Sequence, residues 1–194
     1  MQDIIIVGAG GMGREVLAVV KNINTLTPTW NFLGFVDDGK TAGDIVNNTK
    51  VLGGLDYINT LNSKTAVVIA ISLPKVRKQL KEKITNSNVF FPTIIHPSVI
   101  ISDKEFVSIG EGCLLLINTV FTTNITIGDF VIVNAGAIIN HDAQIDSFST
   151  IMPGVNISTG AKVGMGCYIG TGSKISKPVG ISAWESLPAG TIIA

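Results

Sequence analysis

His141 stands in Asn140-His141-Asp142, beside a carboxylate, and is one of only two histidines in the 194-residue chain. An unperturbed imidazole titrates near pH ~6.5, so it can take a proton from an attacking amine or hydroxyl at neutral pH. The residues alone leave two readings of it open: a general base, or a surface histidine next to a solvated aspartate. The other histidine, His96, precedes a proline and reads as structural. A second constellation is Gly8-Ala9-Gly10-Gly11-Met12-Gly13, which fits G-x-G-x-x-G between an apolar run and a helical pattern. A loop of this kind offers backbone N–H groups and a helix start to a phosphate. Asp37 and Asp38 close the next apolar run, where a dinucleotide-binding domain keeps an acid for ribose. By itself the loop suggests NAD, or else a tight turn that only packs a strand on a helix.

These groups need elements to position them. Over the first 90 or so residues, strand-like and helix-like segments alternate. Ile4–Val7 reads as a buried parallel strand. From Met12 to Ile23, Val16, Val19, Val20 and Ile23 share one helical face. Phe32–Val36 and Ala66–Ile71 read as further strands. Pro74 suits the first turn of a helix whose stripe is Val76, Leu80 and Ile84. Val89–Ile95 is either a last strand of this region or the lead into the next. The alternation predicts a small parallel α/β unit.

After His96-Pro97 the helical pattern gives way to a period of six. Ile109, Leu115, Phe121, Ile127, Val133, Ile139, Ile145, Ile151, Ile157, Val163, Ile169 and Ile175 are all large and apolar. Four residues after each comes a small or β-branched residue, from Cys113 and Thr119 to Ser173 and Val179, with Ile125 the bulkiest. Glycine follows the large residue at Gly110, Gly128, Gly164 and Gly170, as expected where a turn needs a permissive backbone. A strict period of six fits a parallel β-helix with one hexapeptide on each of three faces. Twelve hexapeptides then make four coils of eighteen residues, stacked about 4.8 Å apart.

This register decides the cysteines. Cys113 and Cys167 are 54 residues apart, three whole coils on the same face, hence roughly 14 Å apart along the stack. A disulfide needs Cα atoms within about 7 Å, so both are buried packing residues and an acyl-cysteine mechanism is excluded. Two histidines are too few for a hexapeptide-fold carbonic anhydrase, whose zinc is held by three, and no metal site of recognised spacing is present.

Composition narrows the class further. The chain is 46% hydrophobic and 14% charged, too apolar for disorder, and only 6% aromatic, which suits thin regular layers. Fourteen basic residues balance fourteen acidic ones, so no overall field draws nucleic acid or an anionic membrane. No apolar run reaches the roughly 20 residues of a membrane span, and Met-Gln-Asp-Ile is no signal peptide. The expected location is the cytoplasm.

With the hexapeptides in view, the chain resembles the left-handed β-helix acyltransferases. Handedness comes from that resemblance, since ordinary parallel crossovers are right-handed. The Ile6-Val7-Gly8-Ala9-Gly10-Gly11-Met12-Gly13 start, Gly34-Phe35-Val36-Asp37-Asp38 and the His96-Pro97-Ser98 junction look like one bacterial family within them. Its members include bacillosamine-pathway amino-sugar N-acetyltransferases and sialic acid O-acetyltransferases, homotrimers that use acetyl-CoA. The implied fold is a Rossmann-like α/β domain over residues 1–95, followed by an all-β left-handed parallel β-helix over residues 96–194.

The resemblance also implies roles. His141 would be the general base and Asp142 would raise its basicity, with Asn134 near the site and Thr150 and Thr171 on the acetyl-CoA side. Gly10, Gly11, Met12, Asp37, Asp38 and Ser72 would meet a nucleotide-linked sugar. No metal is implied. The site would lie between subunits, since a β-helix has no deep pocket of its own. This chain departs from the family at Thr150, where the amino-sugar enzyme has histidine, at Ser72, where a glycine is usual, and at Met12, where many members carry histidine. It ends at Leu187-Pro-Ala-Gly-Thr-Ile-Ile-Ala194, where relatives usually continue into a Gly-x-Pro-Ala-Lys tail. The expected activity is N-acetylation of a nucleotide-linked amino sugar, with sugar-acid O-acetylation, a non-catalytic nucleotide-sugar scaffold and an NAD oxidoreductase as ranked alternatives.

Overall fold

The computed structural model describes residues 1–176 and 179–194, in two units. One comprises Met1–Ser72 and Val76–Pro92, the other Leu73–Lys75 and Thr93–Ala194.

In the first unit, β1 (Gln2–Val7) leads through the glycine loop into α1 (Gly11–Leu26), and β2 (Trp30–Val36) comes next. A hairpin of β3 (Ile45–Val46) and β4 (Thr49–Gly53) precedes a short α2 (Asp56–Asn59); then come β5 (Thr65–Ile69), α3 (Pro74–Lys83) and β6 (Val89–Phe90). The sheet order is β3-β4-β2-β1-β5-β6, parallel except for the β3–β4 pair. β1 is central, and Ile4, Ile5 and Ile6 have no accessible surface. A strand buried on both faces must be a continuous apolar run. In α1 the expected stripe is buried at Val16, Val19 and Val20.

Two features depart from the sequence expectation. The β3–β4 hairpin has no alternating apolar pattern, and its local signal is the Asn47-Asn48 turn, both residues left-handed. In α3 the fully buried side chain is Arg77, which donates to the Ile71 carbonyl at 2.5 Å, whereas Val76 is 38% exposed. A guanidinium can be buried on a helix when a carbonyl accepts from it, and apolar periodicity does not register that.

The second unit is the parallel β-helix. Its described residues form three sheets of six, six and five strands. The first face runs from Ile94–Ile95 to Ser186–Leu187, the second from Ile100–Ile101 to Ile192–Ile193, and the third from Val107–Ile109 to Gly180–Ile181. The large residues of the register from Leu115 to Ile175 are at most 2% exposed, as are the small ones from Cys113 to Ser173. Val89–Ile95 divides: Val89–Phe90 joins the α/β sheet and Ile94–Ile95 opens the β-helix.

The β-helix is longer than the run from Ile109 to Ile175. It ends later because Ile181, Leu187 and Ile193 continue the period. It begins earlier because Leu115 pairs with Ile95, twenty residues before it, while Val133 pairs with Leu115, eighteen before. The two extra residues lie in the loop between Ile101 and Val107, so a search by sixes loses the first coil.

The corners explain the glycines differently from the sequence expectation. Left-handed residues recur at each corner, among them Asn118, Gly136, Gly154 and Gly172 at one, and Asn124, Asp142 and Gly160 at the next. Gly110, Gly128, Gly164 and Gly170 are not among them. Each instead lies against the following coil: a Cβ on Gly170 would fall 2.4 Å from the Ala189 nitrogen, and one on Gly128 2.5 Å from that of Ser147. Glycine is needed there for space, not for φ.

Candidate functional site

The corner that carries His141 joins the second-face strand Ile138–Ile139 to the third-face strand Gln144–Ile145. The chain reverses there because Asp142 adopts a left-handed φ of 62°, which Asp tolerates better than most residues. Neighbouring coils hold this corner on both sides: Gly160 N–H donates to the His141 carbonyl at 3.0 Å, and Asp142 N–H donates to that of Thr123 at 3.3 Å. Asn140 fixes the entry, its Nδ2 donating to the Ile157 carbonyl at 2.9 Å and to Asn156 Oδ1 at 3.0 Å.

On that frame, His141 Nδ1 lies 2.7 Å from Asp142 Oδ2, with both side chains about half exposed. A carboxylate only accepts, so Nδ1 carries the proton, and in the neutral imidazole Nε2 keeps its lone pair. Nε2 in turn lies 3.1 Å from Thr159 Oγ1, whose hydroxyl donates to it in that neutral form. In that form the pair could take a proton at Nε2 while the anion holds Nδ1. One coil earlier, the Thr123 hydroxyl donates to Asp103 Oδ2 at 3.0 Å. Sequence reasoning misses both Thr159 and Asp103. Thr159 is findable as the residue one coil of eighteen beyond His141, whereas Asp103 sits in the loop that breaks the period.

The other expected residues of this unit lie elsewhere. Asn134 is 2% exposed, and its Nδ2 donates to the Ile151 carbonyl at 3.1 Å and to Met152 Sδ at 3.6 Å, so these bonds secure a different corner. Thr150 has no accessible surface and presents none to a coenzyme. Thr171 is exposed, its carbonyl accepting from Gly190 N–H at 2.8 Å. Both cysteines are fully buried and neither is in a disulfide. Cys113 Sγ–H reaches the Gly128 carbonyl and Cys167 Sγ–H that of Ser182, and burial pushes the Cys167 thiol up, away from the reactive thiolate. His96 is buried, its Nδ1 accepting from the Ser98 backbone N–H at 3.0 Å with Ser98 Oγ 2.7 Å away, and burial holds it below its usual value.

In the first unit the three parts of the glycine loop have separable reasons. Gly8 has φ +99°, and a Cβ there would meet Ile71 Cδ1 at 2.8 Å; a Cβ on Gly13 would fall 1.9 Å from the Gly8 oxygen, where helix crosses strand. At Gly10 and Gly11 no atom lies within 4 Å of where a Cβ would stand, so nothing in the chain itself demands glycine there. That is the arrangement expected where backbone must approach a phosphate. Gly10 caps α1 without a side-chain bond, and the first turn holds no acid, which leaves the positive helix end open.

Asp37 is committed within the chain: its Oδ2 accepts from Ala9 N–H at 2.7 Å and its Oδ1 from Gly39 N–H at 2.9 Å. Asp38 Oδ1 accepts from Leu55 N–H at 2.6 Å. A cavity of about 190 Å³ opens at the strand ends, lined by Gly8, Asp37, Asp38 and the apolar side chains of Leu55, Ile71, Val76 and Leu80 among others. Val76 and Leu80, expected in a core stripe, thus wall this cavity. Gly10, Gly11, Met12 and Ser72 are not among its lining residues. Among the described residues no cluster of three or more His, Cys, Asp or Glu side chains is placed to hold a metal ion. No helix among them is long and apolar enough to cross a membrane.

Residues 3–84 match the family model of the PglD N-terminal domain. The whole chain superposes on GDP-perosamine N-acetyltransferase from Caulobacter crescentus, solved as a histidine-to-alanine mutant with CoA and GDP-perosamine, with a TM-score of 0.90 at 23% identity, covering 89% of that chain. It superposes on the acetyltransferase domain of PglB from Neisseria gonorrhoeae FA1090 with a TM-score of 0.88 at 24% identity, covering 92% of that chain. WeeI from Acinetobacter baumannii AYE is 29% identical over 100% of this chain and 97% of its own, with a TM-score of 0.71. The chain therefore has the fold of these acetyltransferases, with a match to the PglD N-terminal domain over residues 3–84.

Proposed function

We propose that this protein is an acetyl-CoA-dependent N-acetyltransferase acting on a nucleotide-linked amino sugar. The observation that carries the reading is the His141–Asp142 pair at 2.7 Å on an exposed corner of the β-helix, with Nε2 as the proton-accepting end. The neighbour solved with CoA and GDP-perosamine supplies the substrate class. The first unit would hold the nucleotide, its phosphates at the open N–H groups around Gly10 and Gly11 and its remainder toward Asp38 and the apolar cavity wall. Asp37 would shape that loop by clamping Ala9 and Gly39.

Acetyl-CoA supplies an acetyl group activated as a thioester. His141 Nε2 takes the proton of the acceptor amine as its nitrogen attacks, and Asp142 stabilises the imidazolium so formed. The new C–N bond replaces the C–S bond, and the proton passes from Nε2 to the departing CoA sulfur, so no metal or redox step is required. Thr171, exposed beside the Gly172 corner, would contribute to the coenzyme side.

A homotrimer is part of this reading. Ile100, Val120 and Ile138 stand in register on the outside of the second face, with Ile100 55% and Ile138 38% exposed. An outward apolar stripe suits a neighbouring copy, which would also wall a site that a flat corner cannot enclose.

The test is release of free CoA from acetyl-CoA with a panel of UDP-, dTDP- and GDP-linked amino sugars. Transfer to one of them is expected, and His141→Ala should slow it at least about 100-fold, the scale of a lost general base. Near-normal turnover in His141→Ala would remove His141 from the chemistry. Tight nucleotide binding with no transfer to any amine would identify a scaffold, and transfer only to sugar-acid hydroxyls an O-acetyltransferase.

A further inference from the structure

We propose that Thr159 is a positioning residue for His141, its hydroxyl holding Nε2 in place until the N–H of the acceptor takes that hydroxyl's position; the kinetic part rests on the acetyl-transfer reading above. Two hydrogen bonds define the imidazole. The Nδ1–H bond to Asp142 Oδ2, 2.7 Å long, fixes the tautomer but leaves the half-exposed ring free to swing about that contact. The second bond, 3.1 Å from Thr159 Oγ1 to Nε2, comes from the next coil and stops the swing. Its direction is set by the fold: Gly160 N–H donates to the His141 carbonyl at 3.0 Å, locking the two corners in register. Threonine is also stiff at χ1, so its hydroxyl is held in place at little entropic cost.

The chemistry of the contact agrees with this role. With the proton on Nδ1, Nε2 can only accept, and a hydroxyl satisfies it without adding charge. An ammonium or carboxylic acid there would compete for the same proton. When the acceptor amine arrives, its N–H replaces the Thr159 O–H at Nε2; that proton moves to Nε2, and Thr159 keeps its own. The neutral hydroxyl thus marks where the nucleophile must stand, within hydrogen-bond reach of the base.

The experiment compares wild type with Thr159→Val, which keeps the shape and loses the hydroxyl, and Thr159→Ser, which keeps the hydroxyl. Imidazole ¹⁵N NMR of the full chain, with His141 separated from His96 by the His141→Asn spectrum, reports the contact without any reaction. An unprotonated Nε2 is expected in wild type, its resonance moved in Thr159→Val and restored in Thr159→Ser. In steady-state turnover, Thr159→Val should lower kcat roughly five- to tenfold, the scale of one lost hydrogen bond. KM for both substrates should stay within about twofold, because the interaction serves the reacting geometry and not binding. An unmoved Nε2 resonance overturns the proposal, as does wild-type kcat in Thr159→Val. Absence of transfer in the wild type would instead defeat the acetyltransferase reading, and the NMR comparison would still decide the role of Thr159.

Discussion

His141 and His96 show how the same side chain is given different work by its surroundings. His141 stands on an exposed corner with a carboxylate at one nitrogen and a hydroxyl at the other. His96 is buried and serves as an acceptor for the Ser98 backbone. Burial lowers the His96 pKa from its ordinary 6.5, which penalises the charged form in the fold alone. As pH falls through about 6.5 the unfolded chain takes up a proton that the folded chain refuses, so stability declines and levels off once the folded imidazole also titrates. Urea midpoints measured from pH 7.5 down to 5 should therefore fall for the wild type and fall less for His96→Asn, which retains an acceptor for Ser98. Equal slopes would show that His96 does not control this range. The structural role of His96 is legible from its place before Pro97. The partner of His141 on the next coil is reachable only through the period of eighteen, because nothing local in the chain distinguishes Thr159 from other threonines.

At the scale of the element, the corner decides what each position tolerates. Gly154 has φ +67° and open space around it, so only its backbone conformation resists substitution. Gly170 has no such φ, but a Cβ there would lie 2.4 Å from the backbone of the following coil. Gly154→Ala should cost about 1 kcal/mol, the penalty of a left-handed L-residue, and Gly154→Asn less. Gly170→Ala should cost about 2 kcal/mol or more, because a coil must shift to admit the methyl. Chemical denaturation would separate the two, and equal costs would contradict the distinction. Left-handed corners also accept bulky residues when something compensates. Phe130, Phe148 and Trp184 have φ of 54°, 62° and 65°. Phe130 and Phe148 stack with ring centres 5.2 Å apart and planes 3° from parallel. Space for the rings of Phe130 and Trp184 comes from Gly112 and Gly166, where a Cβ would strike them. A pattern search by sixes sees only a large residue at a variable position and misses this column.

At the scale of the whole molecule, the β-helix hides one set of residues and displays another. Its inward ladder is buried, while the stripe of Ile100, Val120 and Ile138 faces outward on the second face. If a neighbouring copy covers that stripe, Ile138→Glu should convert a trimer to monomers, read by light scattering, and should reduce turnover with it. A trimer that survives Ile138→Glu would place the interface elsewhere, and a monomeric wild type would remove the trimer altogether.

What the sequence determined by itself was whatever repeats or runs. Period six named the β-helix, its three faces and the burial of both cysteines, because the same packing problem is solved once per face and leaves the same residue type each time. The run Ile4–Val7 and the glycines after it named the α/β unit for a similar reason. Tertiary structure decided what depends on contacts across coils and strands. It showed that the first coil begins at Ile94 despite two extra residues in its loop, that Asp37 is held by Ala9 and Gly39, and that Val76 and Leu80 wall a cavity. It also set Thr159 against Nε2 of His141. Such pairings join residues distant in sequence, and their energy lies in geometry that no local pattern encodes.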